Sequence, residues 1–457
     1  MNLLVKDKCF YKKMAVIAIP ISLQSMITIG VNMTDTVMVG KLGETSLSAT
    51  ALANQFVNIY QICCMGIAMG ASVLTSRFWG MQDITSLKKT ITLMLRLCSV
   101  LAVLFMLPTI LIPQLLMRMY TNDSAVIAQG VQYFKWMVYC YFLQGMTLTC
   151  TIVLRSVGQV NFPLFTSIGS FFVNILFNYM FIFGKLGVPR MEVEGAGVGT
   201  LIARVFEFSL ICGYFLFVDR KIGYRLKALR MKCNSLIKDY VSISIPVFVS
   251  DSLLALGTSA VAMVMGRIGT GFVSANSITV VTQQLTTVII QGICHASCIM
   301  TGHTLGQGER EKAQQQAWTF LILGLVVGIL GGGLIKVLSR PIIGLYNITP
   351  ETAQIAGELM DAIAFIVIFQ SMNSILTKGV LRGGGDTKFL MVADIIFLWA
   401  ASLPLGILAG LVWHLDAFWI YVFLKIDQIC KSIWCVFRLR SGKWIKTFSK
   451  EKMNHAQ

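Results

Sequence analysis

Apolar runs of about 20 residues or more, each closed by a short polar break, recur along the whole chain. A run of that length crosses a bilayer as a helix. The runs fall near 14–38, 51–75, 91–115, 131–154, 162–184, 195–217, 241–265, 273–300, 317–338, 357–380, 388–412 and 414–437. The pattern predicts an all-α integral membrane protein of about twelve transmembrane helices.

The polar and small residues that punctuate these runs repeat. Shifted by about 226 residues, the first part of the chain falls on the middle part without a gap. Pro20 meets Pro246, Gly40 meets Gly266, Gly43 meets Gly269, and Ser48-Ala49 meets Ser274-Ala275. Gly66-Ile67 meets Gly292-Ile293, Thr75 meets Thr301, and Gly80 meets Gly306. Six runs lie in each copy, so both copies enter the membrane from the same side as parallel six-helix repeats. The predicted organisation is an N-terminal lobe at 1–217, a cytoplasmic basic linker at 218–240, a C-terminal lobe at 241–437 and a cytoplasmic basic tail at 438–457.

Composition agrees with this reading. Of 457 residues, 56% are hydrophobic and only 13% charged, and the mean hydropathy is +0.73. Soluble domains carry about 25% charged residues. The formal net charge of +17 raises the question of nucleic acid, and its distribution answers it. Basic residues gather at Lys6 to Lys13, at Lys88-Lys89, along Arg220 to Lys238, and along Arg438 to Lys452. These segments share one side if both termini are cytoplasmic, which is the positive-inside asymmetry of an inner-membrane protein. The bilayer, with its anionic lipid, is the partner that such clusters imply, and nucleic acid is not.

Twelve cysteines form no disulfide framework, because most lie inside apolar runs where cysteine is a small hydrophobe. The apolar run after residue 12 is too long for a secretory h-region, so no cleavable signal is expected. GxSxG, HExxH and the GxxxxGK[ST] phosphate loop are missing, and the four histidines are scattered. The chain is therefore expected not to be an enzyme and to need no cofactor.

Ionisable groups at membrane depth cost several kcal/mol and need a reason. Asp35 is the clearest, in Asn32-Met33-Thr34-Asp35-Thr36, and its repeat counterpart is Val261. A carboxylate there could exchange a proton or, with oxygen neighbours, hold a small cation such as Na⁺. Asn174 and Asn178 lie four residues apart on one helix face, and Thr200 follows the glycine-rich start of span 6. Amides and a hydroxyl are suitable oxygen ligands, but spacing alone leaves ordinary inter-helix hydrogen bonding equally open. Gln283, Gln284 and Gln291 give span 8 a polar stripe that either lines a cavity or bonds between helices. Asp427 and Lys431 have the spacing of a mutually neutralising pair.

The chain resembles the multidrug and toxic compound extrusion (MATE) family of secondary transporters. Asp35-Thr36-Val37-Met38-Val39-Gly40 at the end of span 1 and Leu381-Arg382-Gly383-Gly384-Gly385-Asp386-Thr387 after span 10 carry the resemblance. Asn174 to Gly184 leading into Gly195-Ala196, and Gly442-Lys443-Trp444 in the tail, support it. The resemblance covers essentially the whole chain and implies a V-shaped transporter of two six-helix lobes. It further implies export of amphipathic organic cations in exchange for Na⁺ or H⁺, by alternating access, from a chain working as a monomer.

The family's N-lobe cation site maps onto Asp35, Asn174, Asn178 and Thr200. Two positions depart from the family pattern. Asn178 stands where Asp is common, and Asn373 stands where another branch has an acid in span 10. Asp35 is then the main coupling carboxylate. The substrate is expected among aromatic and Met side chains of spans 1, 2, 7 and 8, with Gln283, Gln284, Gln291 and Asn373 as further cavity residues. The rival reading is a lipid-linked oligosaccharide flippase of related architecture, which requires several Lys or Arg in its cavity to hold a pyrophosphate.

Overall fold

A computed structural model describes residues 4–344 and 348–447. Helices dominate, and the described residues contain no strand. In chain order they are α1 (Lys8–Gly40), α2 (Glu44–Gly80), α3 (Ile84–Leu111), α4 (Ser124–Ser156), α5 (Asn161–Phe183) and α6 (Glu192–Val218). The second set is α7 (Asn234–Ile268), α8 (Thr270–Gly306), α9 (Arg310–Ile343), α10 (Pro350–Leu381) and α11 (Thr387–Val412). Among the described residues, these eleven contain segments long and apolar enough to cross a membrane. A short helix, Pro113–Arg118, follows α3.

Local chemistry sets several of these boundaries. Asp83 accepts the Ser86 backbone N–H at 3.0 Å and starts α3. Asp123 does the same for Ala125 at 2.8 Å at the head of α4. Thr349 followed by Pro350 opens α10, with Thr349 accepting from Thr352 N–H at 3.3 Å. Each oxygen satisfies a donor that has no intrahelical acceptor in the first turn.

The twelfth predicted span is not one helix. It is α12 (Ala417–Leu424) and α13 (Ile426–Arg440), separated at Lys425, whose φ is −120°. The break is satisfied locally, since the Asp427 backbone N–H donates to Ser402 Oγ at 2.9 Å. A hydroxyl on a neighbouring helix thus replaces the missing helical acceptor, which is how irregular backbone survives among membrane helices.

Two compact units divide the chain, Leu23–Ser244 and Met1–Ser22 with Ile245–Gln457. The division falls inside α1, beside Pro20, and inside α7, beside Pro246. In the first unit, α2 and α4 are the most buried helices, with α3 against both, and α5 and α6 form a tight pair that α4 also touches. In the second, α8 and α10 are central, flanked by α9, α12 and α13. Large apolar side chains such as Leu104, Ile110, Met263 and Val337 point outward, as lipid-facing positions do.

The basic segment after α6 is ordered against its own unit. Asp219 is buried and accepts Ile222 N–H at 3.0 Å and Gln159 Nε2 at 2.9 Å. Tyr224, also buried, shares a 2.8 Å hydrogen bond with Thr92, and Arg96 donates to the Met231 carbonyl at 3.2 Å. Of the predicted tail, residues 448–457 lie outside the described ones.

Candidate functional site

Glycine makes the central contact possible. A Cβ on Gly199 would lie 2.1 Å from Asn178 Oδ1 and 2.9 Å from the Asn178 backbone nitrogen. A Cβ on Gly195 would lie 2.5 Å from the Phe181 carbonyl oxygen. Two missing side chains on α6 therefore let α5 approach to backbone distance. That approach buries Asn174 and Asn178, one turn apart on α5, at 2% and 1% exposure.

Asn178 Nδ2 donates to Asp35 Oδ1 at 2.6 Å and is 3.3 Å from Asn174 Oδ1. Asn178 Oδ1 is buried and has no hydrogen-bond partner, an orphaned acceptor one atom away from the carboxylate contact. Asp35, Asn174 and Thr200 line a cavity of about 380 Å³ formed by α1, α2, α4, α5 and α6, with Asn178 behind its wall. The four predicted residues thus come from three helices to one place.

The rest of the wall is mixed. Val31, Val39, Val57 and Met137 are apolar, while Asn54, Asn58, Gln61, Tyr133 and Gln144 are polar. Tyr133 Oη donates to Asn54 Oδ1 at 3.3 Å. Asn54, Asn58 and Gln61 were not singled out in the sequence, although their i, i+4, i+7 spacing on α2 marks one helix face. Two more charges face the cavity, Arg204 and Glu207 of α6, joined Nη1 to Oε2 at 2.8 Å. One carboxylate with amide and hydroxyl oxygens suits a proton or a hard monovalent cation. Among the described residues no three His, Cys, Asp or Glu converge as transition-metal ligands would.

The MatE family model matches residues 20–180 and 246–429, most of the chain and both halves. The chain belongs to the MatE family. Its relatives include a Thermotoga maritima protein described as "Probable multidrug resistance protein NorM", 24% identical over 95% of this chain and 93% of that one. An Agrobacterium fabrum protein with the same description is 25% identical over 87% and 86%. Among solved structures, a mutant of the Vibrio cholerae MATE transporter VcmN superposes with a TM-score of 0.86 at 16% identity, covering 95% of this chain and 97% of that one. A MOP superfamily transporter from Pyrococcus furiosus gives 0.83 at 19%, with coverage of 95% and 97%. The protein is a multi-pass membrane transporter of MatE type.

The remaining predicted residues of this MatE protein lie in the other unit. Gln283 Nε2 donates to Gln370 Oε1 at 2.8 Å, and Asn373 Nδ2 donates to Gln428 Oε1 at 2.7 Å. Gln284 and Gln291 are exposed along α8. Asn373 belongs to a chain of polar contacts, because Gln428 in turn donates to Asp427 at 2.6 Å. Lys431, fully buried, sits between Asp427 at 2.9 Å and Asp394 at 3.0 Å. Ser250 of α7 donates to Asp394 as well. Helical spacing foretold the Asp427–Lys431 contact but could not reveal Asp394, which arrives from α11.

The glycine-rich turn after α10 is clamped. Arg382 holds Asp251 at 3.1 Å, and Asp386 receives Arg438 at 2.7 Å and Lys446 at 3.3 Å. Trp444 lies against Gly384, where a Cβ would meet its ring at 2.3 Å. These contacts join residues remote in sequence and lie within one unit.

Proposed function

We propose that this MatE protein is a secondary antiporter that exports amphipathic organic cations in exchange for Na⁺ or H⁺, with Asp35 as the coupling carboxylate. The observation that carries the reading is Asp35 on the wall of a polar cavity, held by the Asn178 amide at 2.6 Å beside an unpartnered amide oxygen. A single acid with neutral oxygens takes up one monovalent charge without needing a second carboxylate. Asp35, Asn174, Asn178 and Thr200 form the coupling site, and Asp35 is the residue that would bind Na⁺ directly.

The cavity volume of about 380 Å³ lies in the range of about 300–1,000 Å³ usual for small-molecule pockets. Its apolar stretches suit the hydrophobic body of an amphipathic cation, and its amides suit the head. Binding of the coupling ion drives transport only if it prefers one of two conformations. The clustering of basic residues at the termini and in the central segment supports a cell-membrane location with both termini cytoplasmic. The flippase reading is disfavoured by the paucity of basic residues at mid-span, Arg204 and Lys425 aside.

The test is efflux of a fluorescent organic cation from proteoliposomes under an imposed Na⁺ or H⁺ gradient, comparing wild type with Asp35→Asn. Gradient-driven efflux that the substitution abolishes in folded protein is the expected result and names the ion. Efflux unchanged in Asp35→Asn would move coupling elsewhere. Wild-type protein inert under both gradients would defeat the reading.

A further inference from the structure

Three charges face the cavity beside Asp35: the carboxylate itself, the Arg204 guanidinium and the Glu207 carboxylate. Arg204 and Glu207 lie three residues apart on α6, and Thr200 is one turn earlier, so all three share a helix face with the coupling site. Arg204 is held by one hydrogen bond, Nη1 to Glu207 Oε2 at 2.8 Å, and not by a two-pronged grip. Its side chain remains partly exposed to the cavity, at 31%. Arg204 and Asp35 are near enough for their charges to act on each other, although Asp35 takes its hydrogen bond from Asn178.

We infer that Arg204 is a tethered counter-cation that competes with the exchangeable cation for Asp35, and that Glu207 is the anchor that holds it back. The inference rests on the proposed cation-coupled reading of the same site. With all three groups ionised the set carries one net negative charge, which one monovalent cation neutralises. When that cation leaves, Asp35 would be a carboxylate without a bound counter-charge at membrane depth, a costly state. The guanidinium, on its long stem, then bridges from Glu207 to Asp35 and lowers that cost. When a cation arrives, Asp35 is satisfied and Arg204 returns to Glu207. The titratable groups that act on the guanidinium are Glu207 of α6, Cys140 of α4 and Asp35 of α1, and Tyr133 of α4 shares the cavity wall. Only the two carboxylates are full acceptors for it. Arg204 is therefore a positioning residue for exchange, easing release of the bound cation, and not a ligand of that cation.

The experiment measures ²²Na⁺ binding and proton uptake by the purified full-length protein in lipid nanodiscs. Wild type is compared with Glu207→Gln, Arg204→Gln and the double variant. Glu207→Gln frees Arg204 to settle on Asp35, so cation affinity should fall by about tenfold, a coupling of ordinary size for neighbouring charges. Adding Arg204→Gln to Glu207→Gln should restore affinity to within about twofold of wild type, because no tethered competitor remains. Arg204→Gln alone should bind more tightly and release more slowly. A purely structural ion pair would also be rescued in the double variant, but its affinity changes would track the melting temperature, and Arg204→Gln alone would weaken binding instead of tightening it. Glu207→Gln binding as wild type does, or a double variant as weak as the single one, overturns the inference while leaving the antiport reading standing. Wild-type protein showing neither Na⁺ binding nor Asp35-dependent proton uptake overturns both.

Discussion

Asn178 donates its amide hydrogen to Asp35 across 2.6 Å, so an amide and not a second acid stands beside that carboxylate. The same side chain turns an unpartnered oxygen into the protein interior. Asn178→Ala removes a donor to a charged acceptor, a bond worth about 1.5–3 kcal/mol. Cation affinity should change by about tenfold or more, read by isothermal titration with Na⁺ or by the midpoint of proton uptake. Asn178→Asp would place two carboxylates at hydrogen-bond distance and should raise the number of cations bound per protein. A Na⁺ or proton stoichiometry unchanged from wild type would count against this geometry.

Gly199 faces Asn178 so closely that a single methyl group cannot be added without displacing α5 from α6. Gly199→Ala should destabilise the protein by about 1–3 kcal/mol and weaken Asp35-dependent binding with it. Gly213, on the same helix with nothing within 4 Å of its Cβ position, is the control. Gly213→Ala should leave thermal stability at or above wild type. Equal melting temperatures for the two variants would show that close approach is not what Gly199 provides.

Lys431 holds Asp427 and Asp394 together inside the second unit. Lys431→Met leaves two buried acids facing one another and should cost about 3–5 kcal/mol, seen as lost monodisperse yield or a lowered melting temperature. The triple variant Asp394→Asn, Asp427→Asn, Lys431→Met removes all three charges and should recover much of that loss. A triple variant no better than Lys431→Met alone would mean that shape, not charge, is what the cluster supplies.

Trp444 covers Gly384 and donates its indole N–H to Gln314 at 2.7 Å, with its side chain fully buried. Trp444→Ala should cost about 3–5 kcal/mol and loosen the turn between α10 and α11. Hydrogen exchange at Gly383 to Asp386 should rise, while exchange around Asp35, in the other unit, stays unchanged. Protection retained at the turn would argue that the ion pairs of Asp386 suffice without the indole.

The succession of membrane helices, the internal repeat and the suspicion that fell on Asp35 were all legible in the chain alone. The reason is that the bilayer imposes a one-dimensional rule: a crossing segment must be apolar for about 20 residues, and an acid inside it is conspicuous. That rule averages over a window, so it passed across Lys425 and predicted one span where the backbone breaks into α12 and α13. The break depends on Ser402, some two dozen residues earlier, offering its oxygen to the Asp427 N–H. Spacing likewise paired Asn174 with Asn178 and Asp427 with Lys431, because neighbours on one helix face are set by the helical repeat. Which helix each face meets was decided only by tertiary packing. Gly195 and Gly199 bring α5 onto α6, Asn178 then reaches Asp35 on α1, and Arg204 and Glu207 turn toward the same cavity. Contacts between helices arise from the complementarity of two surfaces in three dimensions, and no periodicity within either helix encodes its partner.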